Sequence, residues 1–261
     1  PSLAQMMDLD FSSLEDPKVQ MLFQNLRHES SHMFHDVFPT LKVVPASNVP
    51  CQRYEFPYGY SFCMSSIGAN INWRRNEFTS WDPVLFAFIR TFVTREAVYV
   101  GLREWVGPAL LFAAMSAKLA VGIEADPLYF RGLEKNIGLN SEIRKNVYVE
   151  RSCVVFDGFV IQTGNGSQTR CTSFRGFVGR LGLSMNDLKV FVHIEVHGNE
   201  NFIFSSLLDS VRNLRRKPTF YIKFSRNIFR NSTVATGLHE FVCLFRYVMQ
   251  ISPQHSKSSR N

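Results

Sequence analysis

The chain has 261 residues, of which 45% are hydrophobic and 20% charged, and this balance excludes a disordered or fibrous protein. Its length can hold one α/β domain of ordinary size plus extensions, with a sizeable core. The formal net charge of +7 is compatible with an anionic partner such as nucleic acid, a phosphorylated glycan or an acidic membrane surface. No apolar run reaches membrane-spanning length, because Lys118 interrupts the best candidate.

The cysteines do not form a recognisable pattern. There are five, an odd number, and no C-x-x-C pair occurs among them: Cys51, Cys63, Cys153, Cys171 and Cys243. These spacings indicate neither a disulfide framework nor a zinc site, so we expect reduced, mostly buried thiols. Together with the absence of a signal-peptide pattern at this N-terminus, they favour a cytoplasmic location.

The chain divides into three predicted parts. Residues 1–75 are predicted to be an N-terminal extension, since 1–50 show no clear strand pattern and 51–72 are rich in aromatic residues and glycine. The main domain is predicted at residues 76–251 and starts with an apolar helix at 81–93. The polar, basic residues 252–261 are predicted to be a disordered tail.

The centre of the chain predicts a β-α-β-α unit. Residues 97–100 are a short apolar strand, and Gly107-Pro108 opens a helix after a turn, with proline where its missing N–H costs nothing. A second strand at residues 119–123 ends at an acidic residue, and Asp126-Pro127 starts the next helix, which ends near Gly138. The short first crossover predicts an α/β fold whose twisted sheet is mostly parallel, with helices on both faces.

The remaining pattern continues this alternation. It predicts, in chain order, a third strand at 146–155, a turn at 164–167, a basic loop at 173–182, a buried strand at 189–194, a helix to about Arg212, a strand at 218–224 and a final helix or strand pair at 237–251.

Two strand ends carry the functional signal, because ligands of open α/β sheets bind beyond the carboxyl ends of the strands. The first end is the turn at residues 101–107. The second is Glu124, an acidic residue about 20 positions later, which could accept hydrogen bonds from a ribose. The turn lacks the G-x-G-x-x-G pattern, so a dinucleotide site is not favoured.

Four sequence blocks surround these ends: Gly101-Leu-Arg-Glu-Trp-Val-Gly-Pro108, Val121-Gly-Ile-Glu-Ala-Asp-Pro127, Asn136-Ile-Gly-Leu-Asn140 and Val192-His-Ile-Glu-Val-His-Gly-Asn-Glu200. In order and spacing they resemble the core of class I S-adenosylmethionine (SAM)-dependent methyltransferases, and of the FkbM family in particular. That family shows D-I-G-A-x-I-G-P, V-x-E-P-D-P, N-I-x-L-N and I-K-I-D-V-E-G-A-E. The resemblance covers residues 81–225 and implies a Rossmann-like class I methyltransferase fold.

The resemblance implies SAM-dependent methyl transfer to a hydroxyl of a glycan or small metabolite. Arg103 would pair with the cofactor carboxylate and Glu124 would hold the ribose. The cofactor-binding residues that it implies are Gly101, Arg103, Glu104, Trp105, Gly107, Glu124 and Ala125.

Two positions of the turn depart from the family pattern. Gly101 stands where the family has an aspartate, and Arg103 stands where it has a glycine that lets the backbone approach the ligand. These departures are the basis of an alternative hypothesis, a catalytically inactive binding or scaffold module. A third hypothesis, a nucleic-acid-binding protein, rests only on charge and aromatic content.

The residues predicted for catalysis alternate along one strand. His193, Glu195 and His197 point to the same face if the strand persists through them. A hydroxyl acceptor needs a base to remove its proton, and Glu195 or His193 could supply it. Two alternatives stay open for the trio: holding a divalent cation, and structural hydrogen bonding.

Overall fold

The computed structural model describes residues 42–44, 51–55, 60–65, 83–164, 166–195, 200–223, 241, 244 and 245. Its strands are β1 (Lys42–Val44), β2 (Gln52–Glu55), β3 (Ser61–Met64), β4 (Ala97–Leu102), β5 (Leu119–Ile123), β6 (Val147–Glu150), β7 (Cys153–Val155), β8 (Val160–Gln162), β9 (Gln168–Ser173), β10 (Lys189–Glu195) and β11 (Thr219–Lys223). Its helices are α1 (Pro83–Phe92), α2 (Pro108–Ala114), α3 (Pro127–Gly138), α4 (Ser141–Arg144), α5 (Phe174–Arg180) and α6 (Glu200–Val211).

Among the described residues, the central sheet has five parallel strands in the order β11-β10-β4-β5-β6. The chain runs outward from β4 through β5 to β6, and then returns to the other side of β4 to form β10 and β11. The strand order therefore reverses between β4 and β10, where the register places His193 beside Gly101. Reversal points of this kind are where open α/β sheets bind ligands.

Helices cover both faces of this sheet. Tyr99 and Phe191 point to one face and belong to a buried cluster that also contains residues of α1, α2 and α3. Val100 and Val192 point to the other face and pack in a second cluster with α5 and α6. Every residue of α2 is buried, as its alanine, leucine and phenylalanine content predicts. The predicted Rossmann-like α/β fold is confirmed.

The N-terminal region contains strands where the sequence pattern predicted none. β1, β2 and β3 form an antiparallel sheet, so strands occur before residue 50 and among the described residues 51–55 and 60–65, where the sequence pattern shows no strand signal. Tyr54 and Phe62 are buried in the cluster that holds α2. These strands have only three or four residues, and their position depends on contacts with a remote helix, which periodicity does not reveal.

The segment between β6 and β10 also differs from the prediction. The single strand predicted at 146–155 is two strands, because β7 leaves the central sheet and pairs with β9 in a smaller sheet. Most of the loop predicted at 173–182 is helix α5. Ser173 caps its start, because its Oγ accepts from the Gly176 N–H at 3.0 Å. The turn predicted at 164–167 is confirmed as the connection of the β8–β9 hairpin.

Two disulfides correct the prediction of reduced thiols. Cys51 is bonded to Cys63, and Cys153 to Cys171, with Cα–Cα distances of 5.5 and 4.4 Å. In each pair the cysteines lie on or beside neighbouring strands, which brings their Cα atoms within bridging distance. Cys243 lies outside the described residues. Because disulfides persist in oxidising environments, the cysteines no longer support the expected cytoplasmic location.

The described helices are all too short or too polar to cross a membrane. The N-terminal extension, the element predicted at 237–251 and the tail at 252–261 fall largely or wholly outside the described residues. The predicted boundaries at residues 75 and 251 stay predictions.

Candidate functional site

Residues 101–107, which we call the first turn, comprise the last two residues of β4 and the connection to α2. Two of its residues have a backbone conformation that glycine adopts more readily than other residues. Arg103 and Trp105 have φ angles of 70° and 54°, in the left-handed region. A residue with a Cβ pays about 1–2 kcal/mol to adopt this conformation. The N–H groups of Arg103 and Glu104 both donate to the Ile123 carbonyl, at 2.8 and 2.9 Å, and hold the turn against the end of β5. The Arg103 side chain is exposed.

Glu104 occupies the space that a side chain at residue 101 would need. A Cβ added to Gly101 would overlap Oε1 of Glu104 and lie 2.9 Å from its Cγ. The Glu104 carboxylate accepts from the Leu110 N–H at 3.1 Å and from the Tyr99 hydroxyl at 2.7 Å. With Glu104 only 3% exposed, the carboxylate replaces the lost contacts with water by these bonds.

The Tyr99 hydroxyl connects Glu104 to a buried histidine. It lies 2.9 Å from Nδ1 of His193, which is itself 3.6 Å from Oε1 of Glu104. Burial, and then the charge of Glu104, raise the pKa of Tyr99 well above its ordinary value of 10.0. His193 is 2% exposed, and its Nε2 has no hydrogen-bond partner among the described residues.

A cleft of about 240 Å³ lies at this reversal point of the sheet. Glu195 borders it and forms an ion pair with Lys223, with Oε1 3.1 Å from Nζ. The rings of Trp105 and Tyr129 meet edge to face at 6.1 Å. The cleft thus combines aromatic, cationic, acidic and imidazole groups, and its described lining residues are Arg103, Glu104, Trp105, Ala109, Tyr129, His193 and Glu195.

Glu124 is not among the described residues that line this cleft. It is 2% exposed, its Oε2 accepts from the Trp105 N–H at 2.7 Å, and its Oε1 accepts from the Asp126 N–H at 2.8 Å. Burial raises the pKa of Glu124, although the two hydrogen bonds and the charge of Arg103 oppose the rise. The carboxylate therefore joins the first turn to the start of α3. Its expected ribose contact stays a prediction.

The remaining predicted cofactor residues have backbone roles. Gly107 has a φ angle of 94° and precedes α2, where a Cβ would overlap the side chain of Leu133. The Ala125 carbonyl accepts from Thr169 Oγ1 at 2.8 Å, which attaches the smaller sheet to the end of β5. Of the predicted residues, the structure brings Arg103, Glu104, Trp105, His193 and Glu195 together at the cleft. His197 lies outside the described residues.

The N-I-x-L-N block has a structural role. Asn136 Nδ2 donates to the Val106 carbonyl at 2.8 Å, and its Oδ1 accepts from the Ser65 N–H at 2.8 Å. Asn140 accepts from the Cys63 N–H and donates to the Cys63 carbonyl, both at 2.7 Å. One end of α3 thereby fixes both the first turn and strand β3.

Sequence reasoning missed Tyr99 and Tyr129. A tyrosine in an otherwise apolar buried strand is the signal that could have identified Tyr99, because its hydroxyl requires a buried partner. Tyr129 carries no comparable signal, since it is one of several aromatic residues in an amphipathic helix. Within the described ranges, no group of three or more His, Cys, Asp and Glu side chains is arranged to hold a metal ion.

Comparison with known proteins finds similarity only among solved structures. No family model matches the chain, and no curated protein sequence matches it. The methyltransferase FkbM from Methylobacillus flagellatus is 11% identical with a TM-score of 0.43, over 58% of this chain and 38% of that chain. The precorrin-6y C5,15-methyltransferase from Geobacter metallireducens is 11% identical with a TM-score of 0.40, over 69% of this chain and 75% of that one. TYW2 from M. jannaschii, in complex with AdoMet, is 16% identical with a TM-score of 0.41, over 76% and 74%. The fold assignment therefore rests on the strand order and parallel register of this chain.

Proposed function

We propose that the chain binds SAM in this cleft and catalyses methyl transfer to a hydroxyl of a glycan or small metabolite. The observation that carries the proposal is the position of the cleft between the ends of β4 and β10, where the strand order reverses. The four sequence blocks that resemble class I methyltransferases surround the same point and support it.

The lining side chains suit a cofactor of this chemistry. SAM supplies an electrophilic methyl carbon on a sulfonium. The guanidinium of Arg103 can pair with the carboxylate of SAM, and the rings of Trp105 and Tyr129 can contact the face of its adenine ring. Glu124 holds Trp105 at the cleft through its backbone N–H, and the second lone pair of each carboxylate oxygen could still accept from a ribose hydroxyl.

The acceptor hydroxyl must be held in line with the methyl group and must lose its proton. Two side chains of β10 face the cleft and could receive that proton. Glu195 is paired with Lys223, whereas Nε2 of His193 has no partner among the described residues. We therefore assign the role of base to His193 and an orienting role to Glu195.

Isothermal titration calorimetry tests the cofactor site. SAM and S-adenosylhomocysteine are titrated into the wild-type chain, Tyr129→Ala and Tyr148→Ala. Tyr148 is an exposed tyrosine on β6 that does not line the cleft, and it serves as the matched control. We expect saturable heat for wild type and Tyr148→Ala, and binding weakened at least about tenfold, or 1.4 kcal/mol, for Tyr129→Ala. If Tyr129→Ala and Tyr148→Ala bound SAM with equal affinity, the proposal that SAM binds in this cleft would be wrong.

The alternative is an inactive methyltransferase-fold module that binds or scaffolds another molecule. The observation that favours it is Arg103, a large side chain at a left-handed position that glycine would suit better. Absence of heat with both ligands in the wild-type chain would support this alternative and overturn the SAM proposal.

A further inference from the structure

We propose that Glu104 supplies the carboxylate that the first turn lacks at residue 101 and, through Tyr99, fixes His193 in the tautomer whose bare Nε2 accepts a hydrogen bond from a ligand hydroxyl in the cleft. The inference about the tautomer stands independently of the proposed function. Only the final use of His193 as a base in methyl transfer rests on that function.

The first step is the exchange of one side chain for another. Because a Cβ on Gly101 would overlap Oε1 of Glu104, residues 101 and 104 cannot both place a side chain in this space. Glu104 reaches it from three residues further along the first turn and contacts the Leu110 N–H, at the start of α2. A carboxylate is therefore present beside the end of β4 although residue 101 has no side chain.

The second step is the placement of the protons. A carboxylate oxygen can only accept, so the Tyr99 hydroxyl donates its single proton to Glu104 Oε1, and the distance of 2.7 Å fits a charge-assisted bond. The Tyr99 oxygen is then an acceptor towards His193 Nδ1, at 2.9 Å. Nδ1 must carry the hydrogen, which leaves Nε2 of the neutral imidazole with a free lone pair.

The third step concerns which ligand groups can form a hydrogen bond with Nε2 of His193. His193 borders the cleft, and its Nε2 is buried without a hydrogen-bond partner among the described residues. A buried nitrogen without a partner is unfavourable unless a ligand satisfies it. A lone pair selects ligand groups that donate, such as a hydroxyl, and disfavours carboxylate or phosphate oxygens at this point.

In methyl transfer, His193 would receive one proton from the acceptor. The acceptor O–H proton would pass to Nε2, giving an imidazolium whose Nδ1–H stays on the Tyr99 oxygen. The acceptor oxygen would use its electron pair to form the bond to the methyl carbon, and the electron pair of the breaking carbon–sulfur bond would remain on sulfur. The nearby charge of Glu104 would stabilise the imidazolium.

Nitrogen NMR of the imidazole rings tests the tautomer without any ligand. The ¹⁵N-labelled chain is measured at about pH 8, where an ordinary histidine is neutral, and His193 is assigned from the signal that His193→Gln removes. We expect a protonated Nδ1 and a bare Nε2 in the wild-type chain and in Tyr148→Phe. In Tyr99→Phe, which keeps the buried ring, we expect the hydrogen to shift toward Nε2. A wild-type His193 with its hydrogen on Nε2, or an unchanged signal in Tyr99→Phe, would overturn the proposal.

A carboxylate exchange tests Glu104 itself. Glu104→Gly, Gly101→Asp and the double variant are compared with wild type by urea unfolding and by the His193 nitrogen signals. We expect both single variants to lose stability, and the double variant to recover part of that loss together with the Nδ1-protonated signal. Additive losses with no recovery of that signal would contradict the proposal. Neither experiment uses SAM, so a failure here leaves the cofactor proposal standing, and a failure of SAM binding leaves the tautomer result standing.

Discussion

The ends of β4 and β5 differ in what their buried glutamates hold. Glu104, after β4, bonds to the side chain of Tyr99 and borders the cleft. Glu124, after β5, accepts from the backbone N–H groups of Trp105 and Asp126 and is not among the described residues that line the cleft. Both are almost fully buried and both accept from a backbone N–H, so burial, charge and backbone bonds do not separate their roles. The side-chain partner Tyr99 distinguishes Glu104, because it connects this carboxylate to His193.

The strongest way to disrupt the β4 end is Gly101→Ala. The added methyl displaces the buried Glu104 carboxylate, and the Tyr99 hydroxyl and Leu110 N–H lose their acceptor. We expect a loss of about 3 kcal/mol or more in the free energy of unfolding, measured with urea. Gly138→Ala is the control, since no atom lies within 4 Å of its added Cβ, and its effect should stay within about 1 kcal/mol. Equal unfolding midpoints for the two variants would contradict this account.

Glu124→Gln disrupts the β5 end. One carboxylate oxygen becomes an NH₂ group that faces a backbone N–H, either of Trp105 or of Asp126. We expect a loss of about 2 kcal/mol, because a buried donor is left without its acceptor. The exposed Glu142→Gln is the control and should change stability by less than about 0.5 kcal/mol.

The pH dependence of the Glu124→Gln deficit sharpens this prediction. Burial raises the pKa of Glu124 in the folded chain above its ordinary value of 4.5, so the folded state binds the proton more tightly than the unfolded state. Wild-type stability then falls as pH rises from 4.5 through the folded pKa. The difference in free energy of unfolding between wild type and Glu124→Gln should be largest below pH 4.5 and become smaller above it. A deficit that widens with rising pH would mean that the charged form is the stabilised one.

Arg103→Gly tests whether the first turn stores backbone strain. At a φ angle of 70°, glycine removes the steric cost of the Cβ, and we expect a gain of about 0.5 kcal/mol after the greater flexibility of the unfolded chain is subtracted. The same substitution at the exposed, helical Arg131 should cost about 1 kcal/mol. Thermal unfolding of both variants should therefore show shifts of opposite sign.

Asp157→Asn gives the smallest expected effect and the opposite pH dependence. The backbone N–H and hydroxyl of Ser173, followed by the Thr172 hydroxyl, lower the pKa of the exposed Asp157 below 3.8. Its contribution to stability is present above pH 3.8 and is lost as pH falls through the folded pKa. The deficit of the variant should therefore disappear on acidification, whereas that of Glu124→Gln grows. Parallel pH profiles would contradict the contrast.

The sequence predicted the parallel sheet because its signals there are local. The inner strands β4, β5 and β10 are largely apolar and buried, and Asp126-Pro127 is a helix start that can be identified within a few residues. Helix α5 was missed although Ser173 is a capping residue and Phe174, Phe177 and Val178 have helical spacing. Gly176 and Gly179 lower the helix propensity of that segment, and burial against α6 compensates for it.

The site could be predicted only in part, because its geometry depends on contacts distant in sequence. Alternation along β10 correctly placed His193 and Glu195 on one face. The exchange between Gly101 and Glu104 requires knowing that the first turn folds back on itself, and the contact between Tyr99 and His193 joins residues 94 positions apart. The ribose role expected for Glu124 followed from its position at a strand end and stays a prediction, while its two backbone hydrogen bonds could not be read from the sequence.

The two asparagines of the N-I-x-L-N block, Asn136 on α3 and Asn140 just after it, have a further consequence for aggregation. β3 lies at the margin of its three-stranded sheet, where free main-chain groups could recruit a strand from another molecule. The Asn140 amide bonds to both the N–H and the carbonyl of Cys63, and the Asn136 amide accepts from the N–H of Ser65. These side chains therefore occupy hydrogen-bonding groups that a neighbouring strand would otherwise use. We therefore expect the N-I-x-L-N block to disfavour intermolecular sheet growth at this edge.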